Sequence, residues 1–66
     1  MQITLNGSPR DCPADITIGQ LLQDAGYGDR RVAVEVNLEI VPRSRHAEHR
    51  LAVGDQVEIV HAIGGG

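Results

Sequence analysis

Hydrophobic and polar residues alternate over the first six positions of the chain. Positions 1, 3 and 5 are apolar and positions 2, 4 and 6 are polar, a period of two that is typical of a strand with one buried face. The dipeptide Asn6-Gly7 closes this pattern, and both residue types tolerate the positive φ angles that a two-residue hairpin turn requires. We therefore predict a hairpin in which residues 8–12 return as the second strand.

A helix is predicted to begin after Thr17. Thr17 and Gln20 have the spacing of a capping box, in which each side chain accepts a hydrogen bond from the backbone N–H of the other residue. Gly26 is positioned to end the helix in a left-handed conformation. The apolar residues between them recur at i, i+3, i+4 and i+7, which places them on one face of the helix: Ile18, Leu21, Leu22 and Ala25.

Three more strands are predicted in the second half of the chain. Alternating valines in residues 32–37 indicate a third strand, residues 40–41 a short fourth strand, and the alternation that starts at residue 57 a last strand. Residues 43–50 show no period and are interpreted as an irregular turn. The order β-β-α-β-β-β is that of an α+β domain in which one helix packs on a mixed sheet of four to five strands.

Length and charge restrict the function classes. A chain of 66 residues has room for one domain, which we assign to residues 1–63, with residues 64–66 as a flexible glycine tail. Six basic residues, all arginine, stand against nine acidic ones, so the basic field that nucleic-acid binding needs is missing. No export signal or membrane span is recognisable, and a single cysteine favours a reducing compartment. We expect a cytoplasmic protein whose partners are neither nucleic acid nor membrane.

The glycines at positions 64–66 are the main candidate for chemistry. Gly64 and Gly65 have no Cβ, so this tail is narrow enough to enter a channel in a partner and can adopt any φ that the channel imposes. The reactive group at its end is the α-carboxylate of Gly66, which is ionised and a poor electrophile. Another protein must therefore activate it, for instance as an acyl-adenylate. The alternative is a frayed and chemically idle end.

A docking surface is predicted at the root of this tail. Val60, Ala62 and Ile63 alternate onto or past the face opposite Val57 and Ile59. They should leave an exposed apolar patch, which is the usual mark of an interaction site.

The cysteine and two of the histidines are interpreted as structural or solvated. Cys12 has no neighbour in sequence that would activate its thiol, so we expect a small half-buried strand residue. His46 and His49 are spaced i, i+3 but lack the further ligands of a metal site, and we expect solvated turn residues and no bound metal.

Two other features leave alternatives open. His61 is expected to be a partly exposed strand residue beside the tail, or a residue that orients it. Arg43, Arg45 and Arg50 form a local basic cluster that either docks on an acidic partner surface or is simply solvated. No arrangement of nucleophile, base and acid stands out, so we expect no enzyme activity of the chain's own.

Three segments resemble the ThiS family of sulfur carriers in thiamine biosynthesis. They are MQITLNG at the start, VAVEVNLEIVPRS over residues 32–44, and GDQVEIVHAIGGG over residues 54–66. Together with the length and the element order, the resemblance covers essentially the whole chain. It implies a β-grasp, ubiquitin-like fold. One departure is His46, where relatives often have an aromatic residue.

The resemblance also implies a reaction sequence with three partners. A ThiF-type adenylyltransferase uses ATP to activate the terminal glycine carboxylate, and sulfur from a cysteine-desulfurase persulfide converts it to a thiocarboxylate. A ThiG-type thiazole synthase then accepts the sulfur. Gly66 matches the modified glycine and Gly65 the second glycine of the family's end. No bound cofactor is implied, and we expect a monomer when the carrier is free.

The sequence leaves three alternative functions open. The small subunit of molybdopterin synthase is also a β-grasp carrier that ends in Gly-Gly, although it is usually longer. A ubiquitin-like modifier uses the same acyl-adenylate chemistry to attach itself to lysines. A passive β-grasp interaction module would carry an idle tail.

Overall fold

The computed structural model describes residues 1–28 and 30–61, the last of them by its backbone alone. The strands in these residues are β1 (Gln2–Leu5), β2 (Ser8–Asp11), β3 (Val32–Val36), β4 (Glu39–Val41) and β5 (Gln56–His61). The helix α1 (Ile18–Asp24) lies between β2 and β3, and a short 3₁₀ turn (Arg43–Arg45) follows β4. The predicted order β-β-α-β-β-β is confirmed. The helix is seven residues long, and no helix of the described residues could cross a membrane.

The strands form one mixed sheet in the order β2-β1-β5-β3-β4. The central strand β5 runs parallel to β1 and antiparallel to β3. The end of β5, the turn between β1 and β2, and the start of β3 therefore all lie at one end of the sheet. We call this the tail end, because residues 62–66 follow β5 in the chain.

Local signals account for the first hairpin and the helix. Asn6 and Gly7 have φ angles of 50° and 84°, which are those of the predicted two-residue turn. The Thr17 hydroxyl accepts a hydrogen bond from the Gln20 N–H at 3.1 Å, and the Gln20 Oε1 accepts one from the Thr17 N–H at 2.9 Å. Gly26 has a φ of 89° just after the helix. All three predictions are confirmed.

The core lies between α1 and one face of the sheet. Its fully buried side chains come from the helix and from three strands: Ile3, Ile18, Leu21, Val34 and Val57. The opposite face of the sheet has no helix packed on it among the described residues, and we call it the open face. Side chains on β5 alternate between the two faces, so Val57 and Ile59 are buried while Glu58 and Val60 are exposed.

The segment after β4 is more ordered than predicted. The His46 side chain is buried, and its Nε2 lies 3.0 Å from the carbonyl oxygen of Val41. The backbone carbonyl of His46 accepts a hydrogen bond from the N–H of Gly19 at 2.9 Å, which ties the segment to the start of the helix. The interpretation of His46 as a solvated turn residue was therefore wrong, because its contacts come from β4 and α1. His49 is half-buried.

Replacing His46 by alanine should lower the free energy of unfolding by about 2 kcal/mol, because it opens a cavity and removes the hydrogen bond to Val41. The same change at His49 is the matched control and should cost less than about 1 kcal/mol. Urea unfolding followed by circular dichroism measures both. Equal losses for the two variants would contradict a structural role for the buried ring.

Candidate functional site

The candidate site lies where β5 leads into residues 62–66. Ala62, Ile63 and the glycines at positions 64–66 lie outside the described residues, so their proposed roles stay predictions. The strand before them is described, and it lies between β1 and β3. β1 pairs with β5 as far as Val57, and β3 pairs with it as far as His61.

Val60 is exposed at this position, as predicted. Its side chain is 49% exposed and lies on the open face. The residue directly opposite on β3 is Ala33, which is also exposed. Neither side chain carries a reacting group, so this position offers apolar contact only.

Two glutamates, Glu58 and Glu35, lie next to Val60 on the open face, on the side away from the tail end; we call them the acidic row. Glu58 pairs directly with Glu35 of β3, and Glu35 pairs in turn with Ile40 of β4. Ile40 is 62% exposed. Like charges placed directly opposite each other on neighbouring strands repel. The open face therefore offers an apolar position nearest the tail end and negative charge next to it.

Cys12 is more enclosed than predicted. It is buried and follows β2 directly rather than lying within the strand. Its backbone N–H donates a hydrogen bond to the carbonyl of Met1 at 2.8 Å. Its thiol packs in the hydrophobic core, so its surroundings are those of a structural residue.

The histidines do not form a metal site in the described part of the chain. The ring of His46 is occupied by its contact with Val41. No group of three or more His, Cys, Asp or Glu side chains that could hold a metal ion is found among the described residues. The side chain of His61 lies outside the description, so its suggested role in orienting the tail stays a prediction.

Two arginines of the basic cluster predicted from sequence line different depressions. Arg43 lines a shallow depression together with Arg30 and Val32. Arg45 lines a different depression together with Asn37 and Asp55. Arg30, Arg31 and Arg43 are basic residues placed close to the tail end, since β3 begins there and β4 ends there.

Comparisons with known proteins identify relatives over the whole chain. The ThiS family model matches residues 3–66. The chain is 35% identical to the sulfur carrier protein ThiS of Escherichia coli, and each covers 100% of the other. The crystal structure of a thiamine biosynthesis protein (ThiS) from Geobacter metallireducens is similar with a TM-score of 0.87, at 29% identity and with full coverage of both chains.

Longer proteins also contain a similar segment. The chain is 47% identical over its whole length to a thiazole synthase of Paramagnetospirillum magneticum, and 42% identical to one of Magnetococcus marinus. It spans only 20% of the length of each. Both a stand-alone small protein and a part of a larger one are thus similar to this chain.

Proposed function

The chain belongs to the ThiS family, and from this premise we propose that it is a sulfur carrier for thiazole formation in thiamine biosynthesis. The observation that carries the proposal is the extent of the match. The family model runs to residue 66 and so includes all three glycines. The β-grasp fold of a solved ThiS protein extends over the same length. In this function the chain is a protein co-substrate rather than a catalyst.

The proposed chemistry takes place at the carboxylate of Gly66. A carboxylate oxygen attacks the α-phosphorus of ATP on the adenylyltransferase, pyrophosphate leaves, and an acyl-adenylate forms. The carbonyl carbon is now a good electrophile, and a sulfur nucleophile displaces AMP from it. Hydrosulfide gives the thiocarboxylate directly, whereas a persulfide gives an acyl disulfide whose S–S bond a thiol must then cleave, the thiol being oxidised to a disulfide. The product is a thiocarboxylate, which is more nucleophilic than the carboxylate. No cofactor bound by the carrier is needed for these steps.

A thiazole synthase is the proposed acceptor of the sulfur. Two relatives that bear this name contain a segment similar to the whole chain, so in those proteins the carrier-like segment and the rest of the synthase belong to one polypeptide. This supports a close working relationship between the two parts. The ThiF-type adenylyltransferase and the cysteine-desulfurase persulfide are proposed from the family resemblance.

The open face is the proposed docking surface. Val60 and Ala33 would contact apolar residues of the partner, with Ala62 and Ile63 continuing the contact towards the glycines. The row that contains Glu35 and Glu58 would face basic residues of the partner, because complementary charge favours both encounter and correct orientation.

The proposal is tested by intact mass. A polypeptide ending at Gly66, incubated with the cognate adenylyltransferase, ATP and sulfide, should exchange one carboxylate oxygen for sulfur. A reaction without ATP is the control. Thiazole synthase and its substrates should then restore the original mass. An unchanged mass in the presence of an active adenylyltransferase would overturn the proposal. Discharge by the large subunit of molybdopterin synthase alone would assign the chain to that other class of carrier.

A further inference from the structure

The side chain of Asn6 takes the place of a missing strand residue beside β5. β1 ends at Leu5, and the chain then turns away. The backbone N–H of Asn6 still donates to the carbonyl of Val57 at 2.9 Å. One step further along β5, the Asn6 Oδ1 accepts a hydrogen bond from the N–H of Ile59 at 2.7 Å. The side chain thus extends the pairing of β1 with β5 past the end of β1.

Within residues 1–28 and 30–60, no hydrogen bond on this side of β5 lies beyond the one at Ile59. Val60 and His61 follow Ile59, and in the described residues they pair only with Ala33 and Val32 of β3. From Val60 onwards the strand is therefore held from one side. The bond at Ile59 is partly buried and joins residues 53 positions apart in the chain, so it links the first hairpin to the root of the tail.

We propose that Asn6 is a positioning residue that fixes the direction in which the glycine tail leaves the sheet. The inference rests on the proposed function, in which the Gly66 carboxylate must reach the ATP of a partner. Without the Asn6 bond, the end of β5 is held from one side over a longer stretch, and the tail starts from a wider range of directions. Fewer of the docked complexes would then hold the carboxylate in line for attack, and misplacement of a reacting group costs rate steeply.

A second asparagine forms hydrogen bonds to the other end of β5, and it supplies a matched control. Asn37 lies in the turn between β3 and β4 with a φ of 51°, close to the 50° of Asn6. Its backbone N–H donates to the carbonyl of Gln56 at 2.8 Å. Its Oδ1 accepts from the N–H of Gln56 at 2.9 Å, and its Nδ2 donates to the Oδ1 of Asp55 at 3.0 Å. An asparagine in a left-handed turn therefore binds β5 at each end, but only Asn6 is next to the tail.

The left-handed φ at both positions allows clean substitutions. Glycine adopts this conformation without steric cost, so Asn6→Gly and Asn37→Gly keep the turns and remove the side-chain acceptor. Aspartate also tolerates the conformation and retains an acceptor oxygen, so Asn6→Asp is the rescue variant. Amide hydrogen exchange at Ile59 and Gln56 checks that each glycine variant has lost its bond to β5. Asn37→Gly also removes the bond to Asp55, so the control variant loses more side-chain bonds than Asn6→Gly does.

The experiment measures how fast the adenylyltransferase adenylates each variant of the whole chain. Pyrophosphate release is followed as a function of carrier concentration, at a temperature well below the unfolding midpoint of every variant. We expect Asn6→Gly to lower kcat about tenfold with KM within about twofold, since docking through the open face is retained. We expect Asn37→Gly to leave both within about twofold, and Asn6→Asp to restore most of kcat.

Two kinds of failure can be told apart. If the unchanged chain is adenylated but Asn6→Gly has the same kcat, or if both glycine variants lose kcat equally, the positioning role of Asn6 is overturned and the proposed function stands. If the unchanged chain is not adenylated by an active partner, the proposed function is overturned and this inference with it.

Discussion

A polypeptide that lacks Gly66, or that carries one extra residue after it, should gain no sulfur in the presence of the adenylyltransferase, ATP and sulfide. Both changes shift the terminal carboxylate away from the position that the Gly66 carboxylate would take in the partner's channel. The reaction tolerates little error in that position. The thermal unfolding midpoint stays unchanged, because the buried core among the described residues reaches no further than Ile59. Intact mass and a thermal melt on the same sample measure both effects.

Cys12→Ser is the control for this result. The thiol is buried in the core, so the variant should lose some stability through the buried hydroxyl but keep full sulfur incorporation. If the Cys12 variant lost its sulfur while the chain without Gly66 kept it, the protein would carry sulfur as a persulfide. The proposed thiocarboxylate chemistry would then be wrong.

Val60→Asp should weaken binding of the adenylyltransferase by about tenfold or more, which corresponds to about 1.4 kcal/mol. Val60 is exposed on the open face beside Ala33, and a carboxylate there would lie in an apolar contact without a partner and next to the negative charge of Glu58. Desolvating an unpaired charge in an interface is costly. Isothermal titration calorimetry or surface plasmon resonance measures the change.

Val53→Asp is the matched control for this prediction. Val53 is 73% exposed and lies in the turn that precedes β5, at the end of the sheet opposite the tail end. The two variants have the same change in charge and volume, and circular dichroism should show both folded. Equal losses of affinity, or no loss for Val60→Asp, would contradict docking through the open face near the tail.

Sequence patterns predicted the parts of the fold that depend on near neighbours. The hairpin turn needs only Asn6 and Gly7, and the capping box only Thr17 and Gln20, so each could be read directly. The turn at Asn37 and Leu38 was not predicted. Leu38 has a φ of 70°, a conformation that leucine adopts at a steric cost and that its presence does not signal.

Contacts between distant segments were missed for a different reason. The burial of His46 depends on Val41 and Gly19, and no local pattern shows which element will cover a turn. The side-chain bond from Asn6 to Ile59 joins the two ends of the chain, and it becomes visible only when β1 and β5 are placed side by side. Sequence order alone does not reveal that pairing.

The candidate site was predicted in part. A period of two placed Val60 on the exposed face, and the structure confirms it. Arg43 and Arg45 line different depressions, and a role of the basic cluster in docking stays a prediction. Ala62, Ile63 and the glycines at positions 64–66 lie outside the described residues, and their roles stay predictions.

The central position of β5 has a mechanical consequence. A partner that draws the glycines into a channel pulls β5 along its own axis. Hydrogen bonds to β3 lie across that direction from Val57 to His61, and those to β1 and Asn6 do so as far as Ile59. The tension is therefore shared by bonds on both sides of β5 that are sheared together instead of opening one after another. On an edge strand such as β2 or β4, the same pull would act on the hydrogen bonds to a single neighbouring strand. The carrier can therefore be gripped by its last residues and withdrawn again without unravelling from that end.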